Sequence, residues 1–104
     1  MKELVILGQG PAGISAALYA IRGGASVTII AKDNGALEKA DYIQNYYGFE
    51  NGISAKDLIA QGIKQAENLG ARFIRAEVSG IEFSDQGYII KTTEGAEINA
   101  GAVI

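Results

Sequence analysis

Gly8, Gly10 and Gly13 stand in the string Gly8-Gln9-Gly10-Pro11-Ala12-Gly13, between the apolar run Leu4-Val5-Ile6-Leu7 and a small-residue helical pattern that begins at Pro11. The spacing suits one chemistry, the binding of a diphosphate by the main chain. In a strand–turn–helix unit the first glycine allows the tight turn, the second lets the backbone approach a pyrophosphate, and the third lets the helix lie close to the strand. The first amides of the helix have no acceptor within it, and the macrodipole adds roughly half a positive charge there. Pro11 and Ala12 open that helix, and Pro11 marks its start: at the first helical position the missing N–H costs nothing and φ is preset. A bare string of this kind is weak in a chain with 14 glycines among 104 residues. The strand before it and the helix after it make it a nucleotide-binding signal.

The composition removes other chemistries. With no cysteine and no histidine, the chain has no thiolate nucleophile, no disulfide, no zinc site built on those ligands and no imidazole for acid–base work. A net charge of −3 offers no basic face for nucleic acid. Met1-Lys2-Glu3 leads straight into a strand too short for a signal segment, and no apolar run reaches the roughly 18 residues of a membrane span. These features predict a cytoplasmic chain that engages neither membrane nor nucleic acid. At 48% hydrophobic residues, 104 residues can bury one core, as a single domain or part of one.

The elements around the glycine string follow from periodicity. The first helix runs through Ala12, Ile14, Ala16, Ala17, Leu18, Ala20 and Ile21 to Gly23-Gly24, small enough to pack on a sheet. The β-branched stretch from Ala25 to Ala31 reads as a buried parallel strand and completes a β–α–β unit. From Lys32 to Ile53 the sequence lacks regular period and is predicted as a long functional connection carrying Tyr42, Tyr46, Tyr47 and Phe49. Ordinary partial burial with exposed hydroxyls is the expected state of those tyrosines. Ser54, with Asp57 three residues on, caps a helix that runs through Leu69 to Gly70, with Leu58, Ile59, Ile63, Ala66 and Leu69 as its apolar stripe. Arg72-Phe73-Ile74 reads as a third strand. Val78 to Phe83, Gly87 to Thr93 and Ala96 to Ile98 read as a small antiparallel meander with turns at Asp85-Gln86-Gly87 and Glu94-Gly95. Ala102-Val103-Ile104 reads as the beginning of another buried strand, which points to an incomplete domain.

Taken in order, these segments resemble the N-terminal part of the FAD domain of thioredoxin reductase-like flavoproteins, in the pyridine nucleotide-disulfide oxidoreductase class. The glycine string followed by Ala17-Leu18-Tyr19-Ala20 resembles the family's opening GxGPAG helix, and Ile43-Gln44-Asn45-Tyr46-Tyr47-Gly48-Phe49 resembles its V-E-N-x-P-G-F segment. Gly52-Ile53-Ser54 leading into Asp57-Leu58 resembles the stretch that follows, and Ala100 to Ile104 resembles the strand leading to the family's A-T-G motif. The resemblance implies an α/β fold: a Rossmann-like, three-layer FAD-binding core with a parallel sheet and a small antiparallel meander, residues 1–104 being the first part of an FAD/NAD(P)-binding domain. It implies FAD as cofactor, with NADPH as a further cofactor of the intact protein. A CxxC pair would lie in an inserted domain, a thioredoxin-like protein would be the partner, and the intact protein would be a homodimer. Gly8, Gly10, Pro11, Ala12 and Gly13 would meet the pyrophosphate, and Gly35, Ala36 and Leu37 would lie where the family loop passes near the flavin. Asn45 would contact FAD, and the backbone of Glu77 and Val78 would meet the adenine.

Two residues depart from the family pattern. Ala31 stands where members end the second strand with an acid that accepts hydrogen bonds from the adenosine ribose, and Asp33 lies two residues beyond; Tyr47 replaces the family's proline. Lys32, beside Ala31, either faces a phosphate-bearing ligand or is a solvated rim charge. Three readings stay open on the sequence: the FAD-binding segment of a redox enzyme, a non-redox adenine-nucleotide module, and a non-binding fragment that keeps the β–α–β core. No residue of the segment is assigned a catalytic role.

Overall fold

The apolar run before the glycine string forms β1 (Glu3–Leu7), the small-residue segment α1 (Pro11–Arg22) and the β-branched stretch β2 (Ser26–Ala31). In the computed structural model, which describes residues 3–33 and 42–104, β1 and β2 are parallel and in register from Glu3↔Ser26 to Leu7↔Ile30. A short antiparallel pair, β3 (Tyr42–Ile43) with β4 (Ile53–Ser54), precedes α2 (Ala55–Asn68). Then come β5 (Arg72–Arg75), the meander β6 (Val78–Ser84), β7 (Gly87–Thr92) and β8 (Glu97–Ala100), and finally β9 (Ala102–Val103). The parallel sheet has the order β5-β2-β1-β9, and the meander the order β6-β7-β8. The expected α/β architecture is therefore present, with β1 inside the sheet.

Alternation along β1 and β2 divides their side chains between two faces. Leu4, Ile6, Val27 and Ile29 turn to one side, where they meet Ala17 with the half-buried Ala16, Ala20 and Ile21 of α1. Val5 and Ile30 turn to the other and pack against Ile90 and Ala100 of the meander. Strands buried on both faces read as continuous apolar runs, which is what Leu4 to Leu7 and Val27 to Ala31 are. Helices, parallel sheet and meander thus form the three layers. Ala66 of α2 and Ala71 just after it pack with Ile14 of α1, and the start of α2 is capped as the sequence predicts, the Asp57 amide donating to Ser54 Oγ at 3.1 Å. Leu69 departs from its expected place in the stripe: it lies one residue past the helix and is exposed.

The lower end of the sheet is tied by Glu3. Its Oε1 accepts from Arg72 Nη2 at 2.8 Å and from Thr28 Oγ1 at 3.1 Å, so one carboxylate spans β1, β2 and β5. Burial pushes the Glu3 carboxyl up, but hydrogen bonds from Ser26, Thr28 and Arg72 and the guanidinium charge outweigh it and hold the carboxyl below the ordinary glutamate range. The opposite end, where β1, β2 and β5 finish, is left to the loops that build the candidate site. Among the described residues, no helix is long and apolar enough to cross a membrane.

Candidate phosphate-binding turn and adenosine cleft

β1 ends at Leu7, and the chain turns at Gly8 with φ +111°, a left-handed conformation that a side chain would strain. The Gly8 amide donates to Ile30 O at 2.8 Å, pinning the turn to the end of β2. Gly10 is the N-cap of α1, in extended conformation at φ −73° and ψ 179°, with no side chain to cap the helix and no acid in the first turn. The first intrahelical bond runs from the Ile14 amide to Gly10 O at 3.0 Å. The amides of Gly10, Ala12 and Gly13 come before it and have no acceptor within the helix, while Pro11 has no amide to leave unpaired. That set of donors lies at the positive end of the α1 dipole, the arrangement that favours an anion.

The other two glycines have distinct steric roles. A Cβ on Gly13 would stand 2.5 Å from the Gly8 carbonyl oxygen, so only glycine lets α1 pack this close to the turn. A Cβ on Gly10 would meet no atom of the described residues within 4 Å. Among the described residues, the space beside Gly10 at the start of α1 is open.

That space continues into a cleft of about 230 Å³ across the ends of the strands, lined by Gly8, Gln9 and Gly10 from the turn, Ala31, Lys32 and Asp33 after β2, and Ala76, Glu77 and Val78 after β5. Residues as far apart in sequence as Gly8 and Val78 reach one wall because β1, β2 and β5 are adjacent and parallel. Ala31 is buried, and its carbonyl accepts from the Ala76 amide at 3.1 Å. Glu77 O accepts from the Thr93 amide at 2.9 Å, which fixes the linker between β5 and β6 to the meander. Lys32 and Glu77 face each other across the cleft mouth, Nζ to Oε1 at 3.9 Å, with both side chains more than half exposed. Lys32 is thus a rim charge with a carboxylate opposite.

The structure brings Gly8, Gly10, Ala31, Lys32, Glu77 and Val78 together on this cleft, with Pro11, Ala12 and Gly13 forming the adjoining first turn of α1. Asn45 does not line it and sits exposed on the β3–β4 connection. The same connection sends Tyr46 and Phe49 toward Pro11 and Ile14, where they help line a smaller cavity between the two helices. Tyr47 is almost fully exposed and Tyr42 is half exposed, its hydroxyl donating to Asn51 O at 2.6 Å. Gly35, Ala36 and Leu37 lie outside the described residues. Gln9 and Ala76 line the cleft without having been singled out from the sequence. Gln9 occupies a variable place within the glycine string, and Ala76 has no chemistry of its own to mark it.

Residues 2–104 match the family model for pyridine nucleotide-disulphide oxidoreductases. The chain belongs to this family. It is 31% identical over 104 residues to a thioredoxin reductase of Aquifex aeolicus, covering 98% of this chain and 32% of that protein. It is 34% identical over 104 residues to a bifunctional thioredoxin reductase/thioredoxin of Mycobacterium leprae, covering 98% and 23%. Among solved structures, an atypical thioredoxin reductase from Desulfovibrio vulgaris Hildenborough superposes with a TM-score of 0.87 at 36% identity, over 99% of this chain and 34% of that one. The thioredoxin reductase of Lactococcus lactis does so with a TM-score of 0.89 at 28% identity, over 99% and 34%. The chain spans about a third of the length of the curated relatives it matches first.

Proposed function

We propose that this chain is the FAD-binding segment of a thioredoxin reductase-like oxidoreductase, residues 1–104 being the N-terminal part of its FAD/NAD(P)-binding domain. The observation that carries the reading is the open space beside Gly10, bounded by unpaired helix amides and continuous with the cleft across the ends of β1, β2 and β5. A dinucleotide's diphosphate fits the first part, and an adenosine fits the second. The residues present therefore suit FAD at its adenosine diphosphate end.

Bound FAD would supply the two-electron redox chemistry, and the residues of this segment bind and orient it. The amides of Gly10, Ala12 and Gly13 hold the diphosphate, Gly8 sets the turn, and Gly13 keeps α1 close enough for its dipole to act. Asn45 and the segment Gly35, Ala36 and Leu37 belong to the flavin end in the same reading. In the intact protein, reducing equivalents from NADPH pass to a disulfide, with a thioredoxin-like protein as the partner, in a homodimer working in the reducing cytoplasm. The names of the relatives support this over a non-redox nucleotide module or a non-binding fragment. Titration with FAD, followed by flavin fluorescence, tests it. Saturable binding that Gly10→Val removes is the expected result; binding indifferent to that substitution would place the ligand elsewhere.

A further inference from the structure

Two acidic residues line the cleft, Asp33 after β2 and Glu77 after β5. In a dinucleotide fold the acid that accepts the ribose hydroxyls ends the second strand, about 20 residues after the glycine string. Here that position is Ala31, whose methyl group is buried and can accept nothing. The next strand end in the sheet is that of β5, and the linker after it is stitched against Ala31: the Ala76 amide donates to Ala31 O at 3.1 Å. Glu77 follows, its own carbonyl held by the Thr93 amide at 2.9 Å, so its backbone is fixed from both sides. Glu77 lines the same cleft as Gly8 and Gly10, and its carboxylate stands at the cleft mouth opposite Lys32. Lys32 Nζ stands 3.9 Å from Glu77 Oε1, an ion-pair distance beyond hydrogen-bond reach, which leaves the carboxylate lone pairs able to accept.

We propose that Glu77 reads the adenosine ribose in place of the missing strand-end acid, accepting its hydroxyls and disfavouring a 2′-phosphate there. The inference rests on the reading of the glycine turn as a dinucleotide site and deepens it. A carboxylate accepts from a diol and repels a phosphate, so one residue sets both the affinity for an unphosphorylated ribose and the selectivity against its 2′-phosphate. Lys32 then serves to hold the carboxylate at the mouth rather than to bind phosphate itself.

Calorimetric titration of the chain with ADP-ribose and with 2′-phospho-ADP-ribose separates the possibilities. Glu77→Gln keeps the size of the side chain and removes its charge. It should weaken ADP-ribose by about tenfold, the loss of one charge-assisted hydrogen bond, and should strengthen the 2′-phosphorylated ligand. A merely structural role would move both affinities the same way. Asp33→Asn should leave the ratio of the two affinities unchanged. If Glu77→Gln leaves the ratio as it was, or if Asp33→Asn collapses it, Glu77 is not the ribose reader, although the glycine turn stands as long as Gly10→Val still abolishes ADP-ribose binding. If the unsubstituted chain binds neither ligand, the dinucleotide reading fails and the inference fails with it.

Discussion

Gly10 and Gly13 are separated by less than one helical turn, yet the structure gives their substitutions opposite signatures. Gly13→Ala should gain about 1 kcal/mol of helix propensity. The new methyl carbon would stand 2.5 Å from the Gly8 carbonyl, a backbone atom that cannot swing aside. Forcing α1 off the turn costs about 3 kcal/mol, the upper part of the range for overpacking, so the net loss is about 2 kcal/mol. For a domain of this size that lowers Tm by roughly 8–16 °C. The Cβ of Gly10→Val meets no atom of the described residues within 4 Å, and the position has a φ of −73° that valine adopts readily. Its cost to folding is at most about 1 kcal/mol, for a poorer N-cap. The isopropyl group instead fills the space in front of the Gly10, Ala12 and Gly13 amides. Losing two of those charge-assisted bonds to a diphosphate removes about 3 kcal/mol or more, a weakening of at least about a hundredfold. Thermal melts and ADP titrations on both variants check the pair. A Gly13→Ala variant that melts at or above the parent temperature, or a Gly10→Val variant that binds ADP as the parent does, would refute the assignment of the two glycines.

Further outcomes follow from other parts of the fold. FAD should bind within about tenfold of ADP, because the cleft's contacts are to the adenosine diphosphate end and apolar burial at roughly 25 cal/mol per Å² has little isoalloxazine area to act on; parallel titrations compare the two. Ile90→Ala should cost about 2–5 kcal/mol, since Ile90 is fully buried between the meander and Val5 and Ile30, and urea unfolding measures it. Arg72→Met should cost less than about 1 kcal/mol at neutral pH, both groups being partly solvated. Because the Glu3 carboxyl is held below its ordinary range, its contribution is present above the unfolded pKa and lost as pH falls through the folded one. The Tm gap between Arg72→Met and the parent should therefore be open at neutral pH and narrow as pH falls below the ordinary glutamate range.

The sequence makes the site legible where a residue type has only one physical use. Glycine at position 8 meets a positive φ, glycine at 13 meets a carbonyl at contact distance, and Pro11 opens the helix it was expected to open. Ser54 is equally direct, because a capping hydroxyl acts within three residues. The short β3–β4 pair is not legible: Tyr42↔Ser54 and Ile43↔Ile53 are two-residue strands with no period to detect, closed by the Tyr42 hydroxyl on Asn51. The composition of the cleft wall is the other blind spot. That Ala76 and Glu77 come beside Ala31 depends on β5 pairing with β2 in the register Ala31↔Arg75, which no local pattern encodes.

Backbone amide resonances of the 15N-labelled chain, followed during titration with ADP, test the diphosphate site most directly. The account predicts the largest saturable shifts at Gly8, Gly10, Ala12 and Gly13, with smaller ones at Lys32 and Glu77. Shifts concentrated instead around Asp85, Gln86 and Gly101, on the cleft at the far end of the meander, or no saturable shift at the glycine turn, would contradict it.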